Sequence, residues 1–120
     1  IMAIFNKEEN AVLAGVEMLA VSRTMDLPNG KKLDIGLGLH SGDLILGTIG
    51  SPSRLDTTVI GDTVNLASRI ESLNSTYGTR FLISGEVYSS FSNPGLLIRE
   101  IDRVRVKGKN RPVIVYEVIV

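Results

Sequence analysis

The chain has 120 residues with 43% hydrophobic content, enough for one compact domain with a single core and too apolar for a disordered segment. Thirteen basic residues balance thirteen acidic ones, so there is no electrostatic ground for nucleic acid or an anionic membrane as partner. Cysteine is absent, which excludes disulfides and thiolate metal sites, and no apolar run approaches the roughly 20 residues of a membrane span.

Ile1-Met2-Ala3-Ile4-Phe5 reads as the middle of a short apolar strand, with no start methionine and no basic flank or cleavage pattern before it. A piece of a longer protein is therefore expected. Asn6 and Glu9 have the spacing of a capping box. The helix they open places Val12, Val16, Leu19 and Ala20 on one buried face. Leu27-Pro28-Asn29-Gly30 ends it in a turn. Leu33, Ile35, Leu37 and Leu39 alternate with polar or glycine positions, the period of a half-buried strand. Ser41-Gly42-Asp43 reads as a tight turn into a strand over 44–49, making a hairpin, and 50–56 reads as a loop.

Thr57-Thr58-Val59-Ile60-Gly61 leads through a glycine turn into a helix over 62–75, with Leu66, Ile70 and Leu73 facing the core and Gly78 just beyond its end. A short strand over 80–83 follows, then a short helix to Phe91 capped by Ser84. Ser92-Asn93-Pro94-Gly95 is a turn, and strands over 96–106 and 113–119 flank a turn at 108–112. The order β-α-β-β-α-β-α-β-β implies an α+β fold, an antiparallel or mixed sheet with helices on one face. A single domain is expected over 1–120.

Asn65 and Arg69 lie one helical turn apart, so an amide and a guanidinium share one face and are able to address one anionic or polar group. The inner face is complete without them. A solvated face explains the same spacing, and spacing alone leaves both readings open. His40, the only histidine, reads as a strand-end hydrogen-bonder. Gly36-Leu37-Gly38 and Gly47-Thr48-Ile49-Gly50 lack the Lys and Ser/Thr of a phosphate loop, and glycines in strands usually mark bulges or close packing. Lys107-Gly108-Lys109 is a basic turn or a point charge for a phosphate. Arg99, Arg103 and Arg105 alternate along the wet side of a strand. An RNA-binding sheet would need more exposed aromatics than three Phe and three Tyr provide, and a basic surface.

Four segments in order, Gly38-Leu39-His40-Ser41-Gly42, Gly47-Thr48-Ile49-Gly50-Ser51, Thr58 to Glu71 with Gly61-Asp62-Thr63-Val64-Asn65 at its centre, and Val106-Lys107-Gly108-Lys109, resemble the class III nucleotide cyclases. The resemblance runs from Ile1 to about Val118. It implies a ferredoxin-like α+β core truncated at its N-terminus and conversion of ATP or GTP to the 3′,5′-cyclic nucleotide and pyrophosphate. It also implies active sites at the interface of a head-to-tail homodimer. Asn65 matches the asparagine that orients the ribose, Arg69 the arginine that stabilises charge on the phosphates, and Lys107 the lysine on the terminal phosphates. Thr58 falls where the purine edge is read, and a hydroxyl able to donate and accept suits adenine. ATP is therefore the preferred substrate and GTP the alternative. The resemblance calls for Mg²⁺ or Mn²⁺ held by two aspartates that lie upstream of Ile1, as does a second purine-reading residue. Asp43, Asp56 and Asp62 do not match those positions. The chain alone is expected to be inactive, its parent active on the cytoplasmic side, with no membrane contact by this segment. The competing reading is a cyclase-like module that has lost catalysis and serves dimerisation or nucleotide sensing.

Overall fold

The computed structural model describes residues 1–43, 45–51, 54–105 and 111–120, with backbone alone for 45–51 and 54–60. Its elements run α1 (Glu8–Ser22), β1 (Leu37–Leu39), β2 (Ile45–Ser51), β3 (Arg54–Ile60), α2 (Asp62–Tyr77), β4 (Phe81–Ser84), α3 (Gly85–Ser89), β5 (Leu97–Val104) and β6 (Val113–Ile119). A four-stranded mixed sheet has the order β1-β4-β6-β5, and β2 and β3 form a separate two-stranded sheet. β1 pairs parallel with β4, Leu37 opposite Phe81 and Leu39 opposite Ile83. β6 is antiparallel to both neighbours, and its register with β5 shifts between Glu100 and Asp102.

The α+β class and the mixed sheet are as the pattern implies, but the helices divide between both faces of the sheet. On β4, Phe81 and Ile83 point to one side, where Val12 and Leu19 of α1 and Val87 of α3 join them. Leu82, between them, points to the other side and packs with Leu66 and Ile70 of α2. All four β4 residues are buried, as a strand covered on both faces requires. On β1 the same alternation separates Leu37 and Leu39, packed with α1, from Gly36 and Gly38, which lie against α2. A Cβ at Gly38 would collide with the Glu71 backbone, so the glycines are what let α2 lie directly on the strand. The strand is half-buried as expected, but its glycine face lies against α2 and is not open to water.

Other expectations change. Residues 1–5 form no strand, and Ile1, Met2, Ile4 and Phe5 are exposed. The Asn6–Glu9 capping box is absent: Lys7 is the N-cap, with no side-chain cap bond. Glu8 instead accepts a 2.7 Å hydrogen bond from Ser41 Oγ. The buried stripe of α1 is Val12, Gly15, Leu19 and Ser22, and Ala20 is exposed. Gly15 takes the inner position because the Phe81 ring and the Leu37 side chain occupy the space where a Cβ would stand. The proposed hairpin of β1 with β2 does not form, since β2 pairs with β3. Of the loop read over 50–56, residues 50–51 belong to β2 and 54–56 to β3. A two-stranded ribbon is not bound to one buried face, so apolar alternation is a poor guide to its extent.

Candidate functional site

α2 starts where Gly61 adopts φ 141°, a backbone angle that a side chain disfavours, and its N-cap has no side-chain bond. It ends at Gly78, left-handed with φ 66°, whose N–H returns to Asn74 O. Between them Leu66, Ile70 and Asn74 are buried, with Leu73 and Tyr77 partly so. Asn74 fixes the axial position of the helix. Its Nδ2 donates to Leu37 O on β1 (3.0 Å), and its Oδ1 accepts from Thr79 Oγ1 (2.8 Å). Farther along, Tyr77 donates its hydroxyl to Asp102 Oδ2 of β5 at 2.7 Å. That bond holds the Asp102 carboxyl below its usual range and pushes the Tyr77 phenol up.

With the inner face held at these points, Asn65 and Arg69 stand together on the exposed face of α2. Neither side chain has a hydrogen bond or ion pair among the described residues. Adjacent turns bring their Cβ atoms within about 6 Å. An amide that donates and accepts, beside a fixed cation with five N–H donors, suits an anionic or polar group. Thr58 lies on β3, with Gly47 of β2 as its register partner. Lys107 falls outside the described residues, as do Gly108 and Lys109 of the basic turn, so of the candidate residues Asn65 and Arg69 are the two that share one described helix.

The first turn of α2 touches the segment after β1. Thr63 Oγ1 donates to Asp43 O. Ser41 of the same segment bonds Glu8 in α1, and this holds the Glu8 carboxyl below its usual range. His40 Nδ1 lies 2.9 Å from Ser84 Oγ and 3.3 Å from Glu86 Oε2, in keeping with its reading as a hydrogen-bonder at the strand end. Ser84 caps α3 as expected, accepting from Val87 N. Thr63, Asn74 and Tyr77 were not singled out by pattern. Asn74 breaks the apolar stripe at a core position, and a lone amide there is the available signal of an anchoring bond. An open groove of about 510 Å³ beside α1, lined by Met18, Val21, Met25, Leu33 and Ile35 among others, contains none of the site residues. Its apolar lining offers little to a phosphate.

Comparison with known proteins places the chain in a family. The profile of the adenylate and guanylate cyclase catalytic domain matches residues 3–119. The chain belongs to that family. An adenylate cyclase of Anabaena cylindrica is 46% identical over 89 residues, 72% of this chain and 18% of the relative. The terminal-differentiation specific adenylate cyclase of Dictyostelium discoideum is 36% identical, covering 99% of this chain and 6% of its own length. The chain thus spans under a fifth of either relative. Among solved structures, the catalytic core of a rhodopsin-guanylyl cyclase with converted specificity, in complex with ATPalphaS, superposes with a TM-score of 0.74 at 25% identity. That match covers 96% of this chain and 60% of the other. As a cyclase domain, the chain bears Asn65 and Arg69 within its matched segment. No helix among the described residues is long and apolar enough to cross a membrane.

Proposed function

We propose that this chain, residues 1–120, is part of the catalytic domain of an adenylate cyclase that converts ATP to 3′,5′-cyclic AMP and pyrophosphate. The observation that carries the reading is the Asn65–Arg69 pair, unpartnered among the described residues and projecting from a helix whose inner face is pinned. In the reaction the ribose 3′-oxygen bonds to the α-phosphorus, its proton leaves to solvent, and the bond from that phosphorus to pyrophosphate breaks. Asn65 orients the ribose, bringing the 3′-oxygen into line with the phosphorus. Arg69 faces negative charge that grows on the phosphate oxygens as the leaving group departs, and a cation fixed in advance stabilises that charge more in the transition state than in the bound substrate. Thr58 meets the adenine edge and Lys107 the terminal phosphates.

The family relation calls for Mg²⁺ or Mn²⁺, and no group of three or more His, Cys, Asp or Glu among the described residues could hold a metal ion. The cation ligands are assigned to residues outside this chain, and no step here runs through them. With those ligands elsewhere the isolated chain is inactive, and the family resemblance implies a working homodimer of two catalytic domains placed head to tail, on the cytoplasmic side. Naming of the relatives as adenylate cyclases supports ATP over GTP.

The test is cyclic nucleotide formation by the intact protein containing this chain, with ATP and with GTP. Cyclic AMP is expected, and Arg69→Ala is expected to lower kcat by about 10²–10³-fold, the range for removing one preorganised charge-stabilising donor. Unchanged turnover in both Asn65→Ala and Arg69→Ala would overturn the site. No product from either nucleotide would favour the non-catalytic module.

A further inference from the structure

Among the described residues that follow β1, His40, Ser41 and Asp43 are each fastened to a different helix. His40 contacts the N-cap of α3, Ser41 holds the first turn of α1, and Asp43 offers its carbonyl to Thr63 in the first turn of α2. Gly42 completes the set by what it lacks: a Cβ there would stand 2.7 Å from Thr63 Oγ1. Among the described residues, the first turn of α2 is located from within by Leu66 just beyond it, packed against the sheet, and from outside by the Thr63 bond. Its N-cap is a glycine with no side-chain bond, whereas the Asn74 and Tyr77 anchors lie toward the other end. Asn65 sits two residues beyond Thr63, its amide bonded to Gly61 O at 3.3 Å.

We propose that Gly42 and Thr63 form a positioning contact for Asn65, in which the Thr63 hydroxyl on the Asp43 carbonyl and the bare Cα of Gly42 set the first turn of α2 relative to β1. The inference rests on the assignment of Asn65 to the ribose given above. Neither residue touches nucleotide; they act through the helix. The contact lies at the surface, so its loss has little effect on global stability. Its loss matters because a displacement of about 1 Å in a positioning group is able to cost up to about 10²-fold in rate. The two residues act on the same point in opposite ways, and this yields a non-additive pair. Thr63→Ala removes the tether. Gly42→Ala drives a methyl into the hydroxyl that forms the tether. In the double variant the new methyl enters space that the hydroxyl has vacated, so the second change adds nothing.

The experiment uses the intact protein with ATP and reads kcat, KM and Tm. Thr63→Ala is expected to lower kcat about tenfold with little change in KM or Tm, and Thr63→Ser, which keeps the hydroxyl, to restore it. Gly42→Ala is expected to match Thr63→Ala, and the double variant to be no slower than either. Multiplying losses, a Thr63→Ser variant as slow as Thr63→Ala, or a loss of Tm with unchanged kcat would each overturn the proposal. If Gly42→Ala fails to fold, the comparison of Thr63→Ser with Thr63→Ala decides alone. Hydrogen exchange separates this inference from the reading beneath it. Faster exchange of the Asn65 amide in Thr63→Ala, restored in Thr63→Ser, reports the contact whatever the activity. Full activity of Asn65→Ala would instead overturn the ribose assignment.

Discussion

Replacing Gly38 by alanine tests the seat of α2 on β1. The added Cβ would lie 2.6 Å from Glu71 Cα and 2.8 Å from Glu71 Cβ, and nearer still to the Glu71 amide nitrogen. Ordinary contact starts near 3.4 Å, so strand and helix must part by about 0.8 Å to clear Cα and further to clear the nitrogen. Both obstacles belong to helix backbone, which no rotamer change relieves. Neighbouring anchors oppose the movement, since Asn74 ties the same helix to Leu37 O. Overpacking of this kind costs about 2 kcal/mol, which for a domain of this size lowers Tm by roughly 6–12 °C. Gly78→Ala is the comparison. No atom lies within 4 Å of its Cβ position, and its φ of 66° is the whole penalty, so about 1 kcal/mol is expected without any shift of α2. Urea unfolding followed by far-ultraviolet circular dichroism measures both, and cyclic AMP formation by the intact protein containing each variant, at a temperature where it is folded, measures the displacement. Gly38→Ala is expected to lose activity and Gly78→Ala to keep it. A Gly38→Ala protein as stable and active as the parent would refute the close packing of α2 on β1.

Asn74→Ala leaves the Leu37 carbonyl and the Thr79 hydroxyl without their partner, and a loss of about 2–3 kcal/mol is expected in chemical denaturation. Phe81→Ala empties a fully buried position on the α1 side of the sheet and is expected to cost about 3–5 kcal/mol by the same measurement. Ser41→Ala is expected to raise the Glu8 titration midpoint toward the ordinary carboxylate range in carbon-13 NMR, and Tyr77→Phe to do the same for Asp102. Both carboxyls are lowered in the folded state. Their small stabilising contribution is therefore present above the ordinary carboxylate pKa and lost as pH falls through the lowered value. A midpoint that stays put in either variant would show that the bonded hydroxyl is not the cause of the shift.

The sequence by itself determined what depends on neighbours in the chain. The i, i+4 spacing put Asn65 and Arg69 on one face of a helix whose other face carries Leu66 and Ile70. Ser84 as cap of α3, Gly78 at the end of α2 and the turns at Gly30 and Asn93 were legible for the same reason: each is closed by bonds within a few residues. The family, too, was legible, because its four segments are linear. Tertiary structure alone decided which strand β1 adjoins. A turn signal at Ser41-Gly42-Asp43 suggested a hairpin with the next strand, but those residues spend their polar groups on α1 and α2, and β1 pairs with β4 across the intervening helix. The two helix-covered faces of the sheet were hidden likewise. Gly36 and Gly38 look like the vacant side of a half-buried strand, and only the helix that fills the space shows why nothing larger than glycine fits there. Long-range pairing depends on which surfaces meet, and a one-dimensional pattern records the size of a side chain but not the neighbour that limits it.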